Sequence, residues 1–278
     1  MRVVILACFF LSGASGLVLE MLWTRMLTLV FGSTTLAVST VLTAFMGGLG
    51  LGSYLAGRLA DRLKAPVRAY AVAEAAIGVY ALLVPAVISF YPALNRGLWS
   101  AFGDRYALLS VLRFAASAAL LIVPTTLMGA TLPFLARHFV QRPWELRRAG
   151  LRLGTLYSTN LFGAVAGSFF AGFVFLPHVG LRGTNIIAAT FDLTLAAAIL
   201  LARRYLPASA SAGPTMDELL ERAAESGEMD GQVAAQALPP EPLVDARSRR
   251  ASLFAFAVSG ATAMTLQVLW TRALAVLI

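Results

Sequence analysis

The chain alternates long apolar runs with short polar breaks, and each run has the length of a membrane span. The first covers residues 3–31. It exceeds the ~20 residues that cross hydrocarbon, so this helix must tilt or protrude. The polar turn Gly32-Ser33-Thr34-Thr35 separates it from a second span over 36–55. A basic loop from Gly57 to Lys64 follows, and Pro66 opens a third span over 67–90. Tyr91-Pro92 predicts the end of that span and the start of an outer segment to Tyr106, with a short interfacial helix around Leu98 and Trp99. The fourth span covers 107–135 and carries Pro124 and Pro133, which neighbouring helices tolerate in a bundle. After a second basic loop the fifth span covers 153–176, Pro177-His178-Val179-Gly180 turns the chain, and the sixth covers 184–201. The expected fold is all-α, a polytopic transmembrane helix bundle.

One heptapeptide is written twice. Leu19-Glu20-Met21-Leu22-Trp23-Thr24-Arg25 returns as Leu266-Gln267-Val268-Leu269-Trp270-Thr271-Arg272, each position offset by 247 residues. Upstream, Ser12-Gly13-Ala14 corresponds to Ser259-Gly260-Ala261. A fixed offset of this kind is the mark of an internal repeat. Both copies lie in apolar runs, so each reads as the first span of a helical half. The second half has barely begun at Ile278, and the expected organisation is three parts of a longer protein: a six-helix membrane half (1–206), a mobile cytoplasmic linker (207–250) and the first span of a truncated second half (251–278). The linker holds eight acids against four arginines, and Thr215 with Glu218 forms a capping-box pattern for a short helix to about Glu225. The rest of it lacks apolar periodicity.

Composition supports the membrane reading. Apolar residues make up 59% and charged residues 13%, against roughly 45–50% and 25% in soluble domains. Mean hydropathy is +0.77. The net charge of +8 raises the question of nucleic acid, but the basic residues sit in short loops on alternate sides of the spans, which argues against it. Counting Lys and Arg gives four after the second span, five after the fourth and five flanking the linker, fourteen in all. The other side has three, Arg96, Arg105 and Arg182. This bias places the N-terminus, the basic loops and the linker in the cytoplasm. Residues 1–16 imitate a signal peptide, yet the repeat begins the same way deep inside the chain, so the first span is expected to be retained. A single cysteine, Cys8, excludes an internal disulfide, and His138 and His178 are isolated, so no metal site is expected.

Ionisable groups inside spans cost about 2.5–3.5 kcal/mol each on insertion scales, so they usually face a cavity or a partner. Glu20 is the leading candidate. It shares a helix face with Trp23 and Thr24, while Arg25 lies about 140° away, so it needs a partner on another helix, a proton or a cationic substrate. Its counterpart in the second copy is Gln267. Asp192 lies midway through the sixth span, and Arg113 is placed to pair with Glu20 or Asp192. Glu74, close to Arg68, reads as an interfacial snorkeller or ion-pair candidate. Arg25 and Arg272 read as snorkelling outward or pairing. Trp23 and Tyr80 offer cation–π faces to an amine. The predicted substrate-binding set is Glu20, Trp23, Asp192 and Gln267. Small-residue spacings, Gly48 with Gly52 and Gly163-Gly167-Ala171, read as close helix packing.

Six spans, a long linker and a restarted motif resemble the major facilitator superfamily. Gly57-Arg58-Leu59-Ala60-Asp61-Arg62 is similar to its loop between spans two and three. That resemblance implies a gating or structural role for Gly57, Asp61 and Arg62, although Leu63-Lys64-Ala65 departs from the usual ending. A narrower resemblance rests on Ser12-Gly13 through Arg25, Phe31-Gly32-Ser33, the stretch from Gly47 to Arg62, Gly129-Ala130-Thr131-Leu132-Pro133, Tyr157 with Asn160, Gly163, Ala164 and Gly167, then Leu176-Pro177 and Gly180 to Thr184. These resemble the membrane part of bacterial fused transporter–spermidine synthase proteins. The resemblance implies a bacterial plasma membrane, further spans, and a soluble aminopropyltransferase-like domain that transfers an aminopropyl group from decarboxylated S-adenosylmethionine to putrescine. None of that domain is in this sequence: no glycine-rich cofactor loop and no catalytic acidic pair is present, so no catalytic residue and no cofactor is assigned here. Three functions compete. The spans carry a polyamine or another small solute, with or without an enzymatic partner; they anchor the soluble domain; or they are a membrane-embedded enzyme. The last lacks the residues such chemistry needs.

Overall fold

A computed structural model describes residues 2–31, 35–60, 62–63, 65–139, 146–202 and 245–277. The turn at 32–34, Asp61, Lys64 and the Thr215–Glu218 capping pattern lie outside the described residues, as do the side chains of Trp270, Thr271 and Arg272. The described residues are helical and include no strand. In order they form α1 (Arg2–Phe31), α2 (Thr35–Ala60), α3 (Pro66–Phe102), α4 (Tyr106–Phe139), α5 (Leu146–Phe170), a single wide π turn (Ala171–Phe175), α6 (Leu176–Ala202) and α7 (Ala246–Leu277).

Five of these stretches are long and apolar enough to cross a membrane, the last being the continuous run Gly150–Ala202. At 53 residues that run is twice the length of a span. It is divided where the sequence predicts a turn, because Gly180 takes φ 66° and ψ −174°, a conformation open to glycine and closed to most side chains. Its two arms serve as separate passes, α5 and the later part of α6.

Contacts between helices fix their directions. Along α1 and α5, Phe9 faces Asn160, Phe10 faces Gly163 and Ala14 faces Gly167, so both numbers rise together and the helices are parallel. Helix α1 is also parallel to α3, with Phe9 against Tyr70 and Ser12 against Glu74. Helices α3 and α6 are antiparallel, since Asn185 meets Ala81 while Asp192 lies near Gly78. So are α3 and α4, through Tyr80 with Leu120 and Asn95 with Arg113. The chain therefore passes up and down six times.

Glycine sets how near some of these helices come. A Cβ added at Gly163 or Gly167 would collide with the backbone of Phe10 or Ala14, and one at Gly52 or Gly129 with the backbone of Thr126 or Leu49. The small-residue spacings of the second and fifth spans thus sit at the α2–α4 and α1–α5 contacts. Side chains turned away from the core are largely apolar; along α5 and the π turn, Tyr157, Phe162, Val165, Phe169 and Phe173 are all exposed, as hydrocarbon surroundings permit.

The third helix corrects the sequence reading. It does not end at Tyr91-Pro92 but continues through both Pro85 and Pro92 to Phe102, so Leu98 and Trp99 belong to it rather than to a separate interfacial helix. Its 37 residues reach roughly 55 Å at ~1.5 Å each. A proline inside a helix loses one hydrogen bond, whereas ending the helix there would strand up to about four carbonyls.

Of the second unit, the described part is Asp245 and α7. This helix begins at Ala246, earlier than the boundary at 250 that the sequence suggested. The Ser248 N–H donates to Asp245 Oδ1 at 2.9 Å, an N-cap that starts the helix, and hydrogen bonds from the Ser248 hydroxyl and then its N–H hold the Asp245 carboxyl below its usual range.

Candidate functional site

Three acidic residues face inward in the six-pass unit. Glu20 on α1 is 8% exposed, Glu74 on α3 is 1% exposed and Asp192 on α6 is 1% exposed. Each owes its position to a helical stripe. On α3 the buried stripe includes Tyr70, Ala71, Ala73, Glu74, Ile77, Gly78, Ala81 and Val84; on α6 it is Thr184, Asn185, Ala188, Ala189, Asp192, Leu195, Ala196 and Ile199. Glu74 is thus no interfacial snorkeller. Ser12 Oγ donates to Glu74 Oε1 at 2.6 Å, so its partner is a hydroxyl on α1.

Asp192 sits beside this pair. A Cβ on Gly78, one turn beyond Glu74, would lie 3.2 Å from the Asp192 Cβ, and only a residue without a side chain lets α6 come so near. Glu74 and Asp192 both line a small cleft of about 110 Å³, together with Ser12, Thr131 and Asn160 as further polar groups. The remaining wall is Gly13, Gly16, Leu17, Phe45, Leu49, Ile77 and Met128. No lysine, arginine or histidine is among the lining residues. Asp192 Oδ2 is fully enclosed and accepts no bond of good geometry among the described residues; the Ser15 hydroxyl, which donates to the Ala188 carbonyl at 3.2 Å, is the donor beside this carboxyl. A buried carboxylate oxygen left in that state is costly, and it marks a place where a donor belongs.

The structure brings only part of the predicted set together. Glu20 stands two turns beyond Ser12 on α1 and does not line the cleft; Thr24 Oγ1 donates to its backbone carbonyl at 2.8 Å. Trp23 is fully buried in the apolar core, its indole N–H without a described acceptor. Arg25 is exposed on the opposite side of the helix. Arg113 Nε donates to Asn95 Oδ1 at 2.9 Å and its guanidinium lies 5.9 Å from the Trp99 ring centre, so its described partners are on α3 rather than Glu20 or Asp192. Tyr80 spends its hydroxyl on the Leu120 carbonyl at 2.7 Å. Gln267 is exposed on α7, in the other unit, and Arg272 lies on that helix outside the described side chains. Gly57 and Arg62 are exposed at the end of α2, where Arg58 covers the Tyr54 ring at 4.4 Å.

Comparison with known proteins adds one relationship. The chain is similar to polyamine aminopropyltransferases. It shares 30% identity over 203 residues with polyamine aminopropyltransferase 2 of Streptomyces coelicolor, covering 72% of this chain and 34% of that protein. With the protein of the same name from Aquifex aeolicus it shares 26% identity over 186 residues, 67% of this chain and 34% of the relative. The homology is weak, and the chain spans about a third of the length of the curated relatives it matches. No protein-family model and no solved structure matches it.

Sequence reasoning missed Ser12, Thr131 and Asn160 as neighbours of the acids. A signal was available for each: a hydroxyl or amide in an apolar run, within a glycine-containing motif. What the sequence could not supply is the register that sets Ser12 against Glu74 across 62 residues.

Proposed function

We propose that this chain is the membrane domain of a polyamine aminopropyltransferase-like protein, that it anchors a soluble enzymatic part in a bacterial plasma membrane, and that its six-helix unit also moves polyamines or related small cations. The observation that carries the transport half is the pair of buried acids, Asp192 and Glu74, lining one cleft that has no cationic residue. Carboxyl groups in that state are neutralised by a proton or by a cation, and a transported cation would take the second role. The similarity to polyamine aminopropyltransferases names a cation of suitable chemistry. On this reading the basic ends of α2 and α4 face the cytoplasm, and the unit is one half of a major-facilitator-like arrangement whose second half starts with α7, alternating access by rocking. Decarboxylated S-adenosylmethionine would be handled by the soluble part alone.

The test is flux. Vesicles containing the full-length protein are expected to accumulate labelled putrescine or spermidine above protein-free vesicles, and Asp192→Asn to reduce that accumulation at least tenfold. Aminopropyltransferase activity with no flux above the lipid background would leave the anchoring role and overturn transport. Flux of a different solute, with no aminopropyltransferase activity, would favour a transporter that has no enzymatic partner.

A further inference from the structure

The cleft draws its lining from all six helices and combines polar groups with apolar side chains, and the two together restrict what fits. Its polar groups include the carboxyls of Asp192, which has the Ser15 hydroxyl beside it, and of Glu74, whose Oε1 accepts from the Ser12 hydroxyl at 2.6 Å. Thr131 donates its hydroxyl proton to the Met128 carbonyl at 2.7 Å, which leaves that oxygen an acceptor towards any further group. Acceptors therefore dominate the polar groups. The apolar part of the lining is Leu17, Phe45, Leu49, Ile77 and Met128, which carries no charge.

We infer that this cleft binds one primary ammonium group carried on a short unbranched aliphatic stem. An R–NH3⁺ group brings three N–H donors and one positive charge, matching two carboxyl groups and a hydroxyl acceptor. Its methylenes would lie along the apolar part of the lining. A quaternary ammonium has no N–H to give and would find one aromatic ring, Phe45, where such cations are held by several. A bare sodium ion would gain nothing from the apolar part of the lining. Size sets the remaining limit. A cavity of about 150 Å³ admits benzene, so the ~110 Å³ here suits about four or five non-hydrogen atoms, an amine end rather than a whole triamine. The inference rests on the proposed polyamine relationship for the biological ligand, but the site itself is argued from the lining.

Direct binding separates the two claims. The full-length protein in lipid nanodiscs is titrated with labelled putrescine, with n-butylamine, tetramethylammonium and sodium as competitors. Butylamine is expected to compete within about threefold of unlabelled putrescine, and the other two to be at least tenfold weaker. Asp192→Asn is expected to weaken putrescine binding at least tenfold. A second variant leaves the acids alone: a Cβ at Gly16 meets nothing within 4 Å, so Gly16→Leu fills the cleft, and it is expected to abolish binding with an unchanged thermal midpoint. Absence of putrescine binding, equal competition by sodium or tetramethylammonium, or binding indifferent to both variants overturns the site. Binding that follows the variants without flux upholds the site and overturns transport; saturable flux indifferent to both variants does the reverse.

Discussion

Ser12 supplies the donor that a carboxyl group in the middle of a helix bundle requires, and this bond joins α1 to α3. Its worth is open to measurement. Ser12→Ala removes the hydroxyl and leaves Glu74, 1% exposed, with the Tyr70 hydroxyl as its remaining donor. The expected loss is about 1–3 kcal/mol of stability, read as a lower thermal midpoint in detergent micelles, and Ser12→Thr, which keeps the hydroxyl, should recover most of it. An unchanged midpoint in Ser12→Ala would show that Glu74 is satisfied another way. The same residues show where sequence reading stops. That Glu20 and Asp192 turn inward was legible, because helical periodicity and the cost of charge in hydrocarbon both demand it. Glu74 was misjudged because Arg68 and the basic loop are near it in sequence. On the helix Arg68 is exposed while Glu74 falls on the stripe of Tyr70, Ile77 and Ala81, which the small residues around it already hinted at.

At the scale of elements, prolines and glycines decide how the helices meet. A proline frees the carbonyl four residues before it. Pro85 frees that of Ala81, Pro124 that of Leu120 and Pro133 that of Gly129. Each is taken by a side chain from a neighbouring helix: Asn185 Nδ2 at 2.8 Å, Tyr80 Oη at 2.7 Å and Ser53 Oγ at 2.9 Å. The bundle turns three backbone defects into three interhelical bonds, as a membrane interior without water demands. The prolines were visible in the sequence; their donors were not, since pairing depends on helix register. This account predicts coupling. Tyr80→Phe should cost about 1–2 kcal/mol in wild type and much less in a Pro124→Ala background, where the restored N–H of residue 124 bonds the Leu120 carbonyl. A double-mutant cycle on unfolding midpoints would measure the difference, and strict additivity would refute the role given to Tyr80. Glycines allow a matching contrast. Gly167→Ala drives a methyl into the Ala14 backbone and should destabilise by about 1–3 kcal/mol. Gly47→Ala, on the same kind of helix but meeting nothing within 4 Å, should be neutral or gain up to about 1 kcal/mol.

At the scale of the whole six-pass unit, the helix directions give the charge pattern a geometric meaning it lacked as a count. Because α2 and α4 are parallel to each other and antiparallel to α3, the connections after α2 and after α4 lie at one end, with Arg58, Arg62, Arg68, Arg137 and Arg152 around them. Arg152 closes part of that end by donating from Nη1 to the Phe139 carbonyl at 2.8 Å. The turn Gly103–Arg105 and the break at Gly180 lie at the other end, with Arg96, Arg105 and Arg182. Alternation was legible from the lengths of the apolar runs; the extension of α3 beyond Pro92, which carries Arg96 and Trp99 well past the core, was not, because local proline signals argue for a stop that the bundle overrides. A K/R bias this strong should orient the unit with the Arg62 end in the cytoplasm. Labelling tests it. With Cys8, the sole and buried cysteine, replaced by alanine, single cysteines are placed at Asp104 and at Arg62, both exposed positions at opposite ends. A membrane-impermeant maleimide added to intact cells should label Asp104→Cys and spare Arg62→Cys, with both labelled after the membrane is opened. Labelling of Arg62→Cys alone in intact cells would invert the topology.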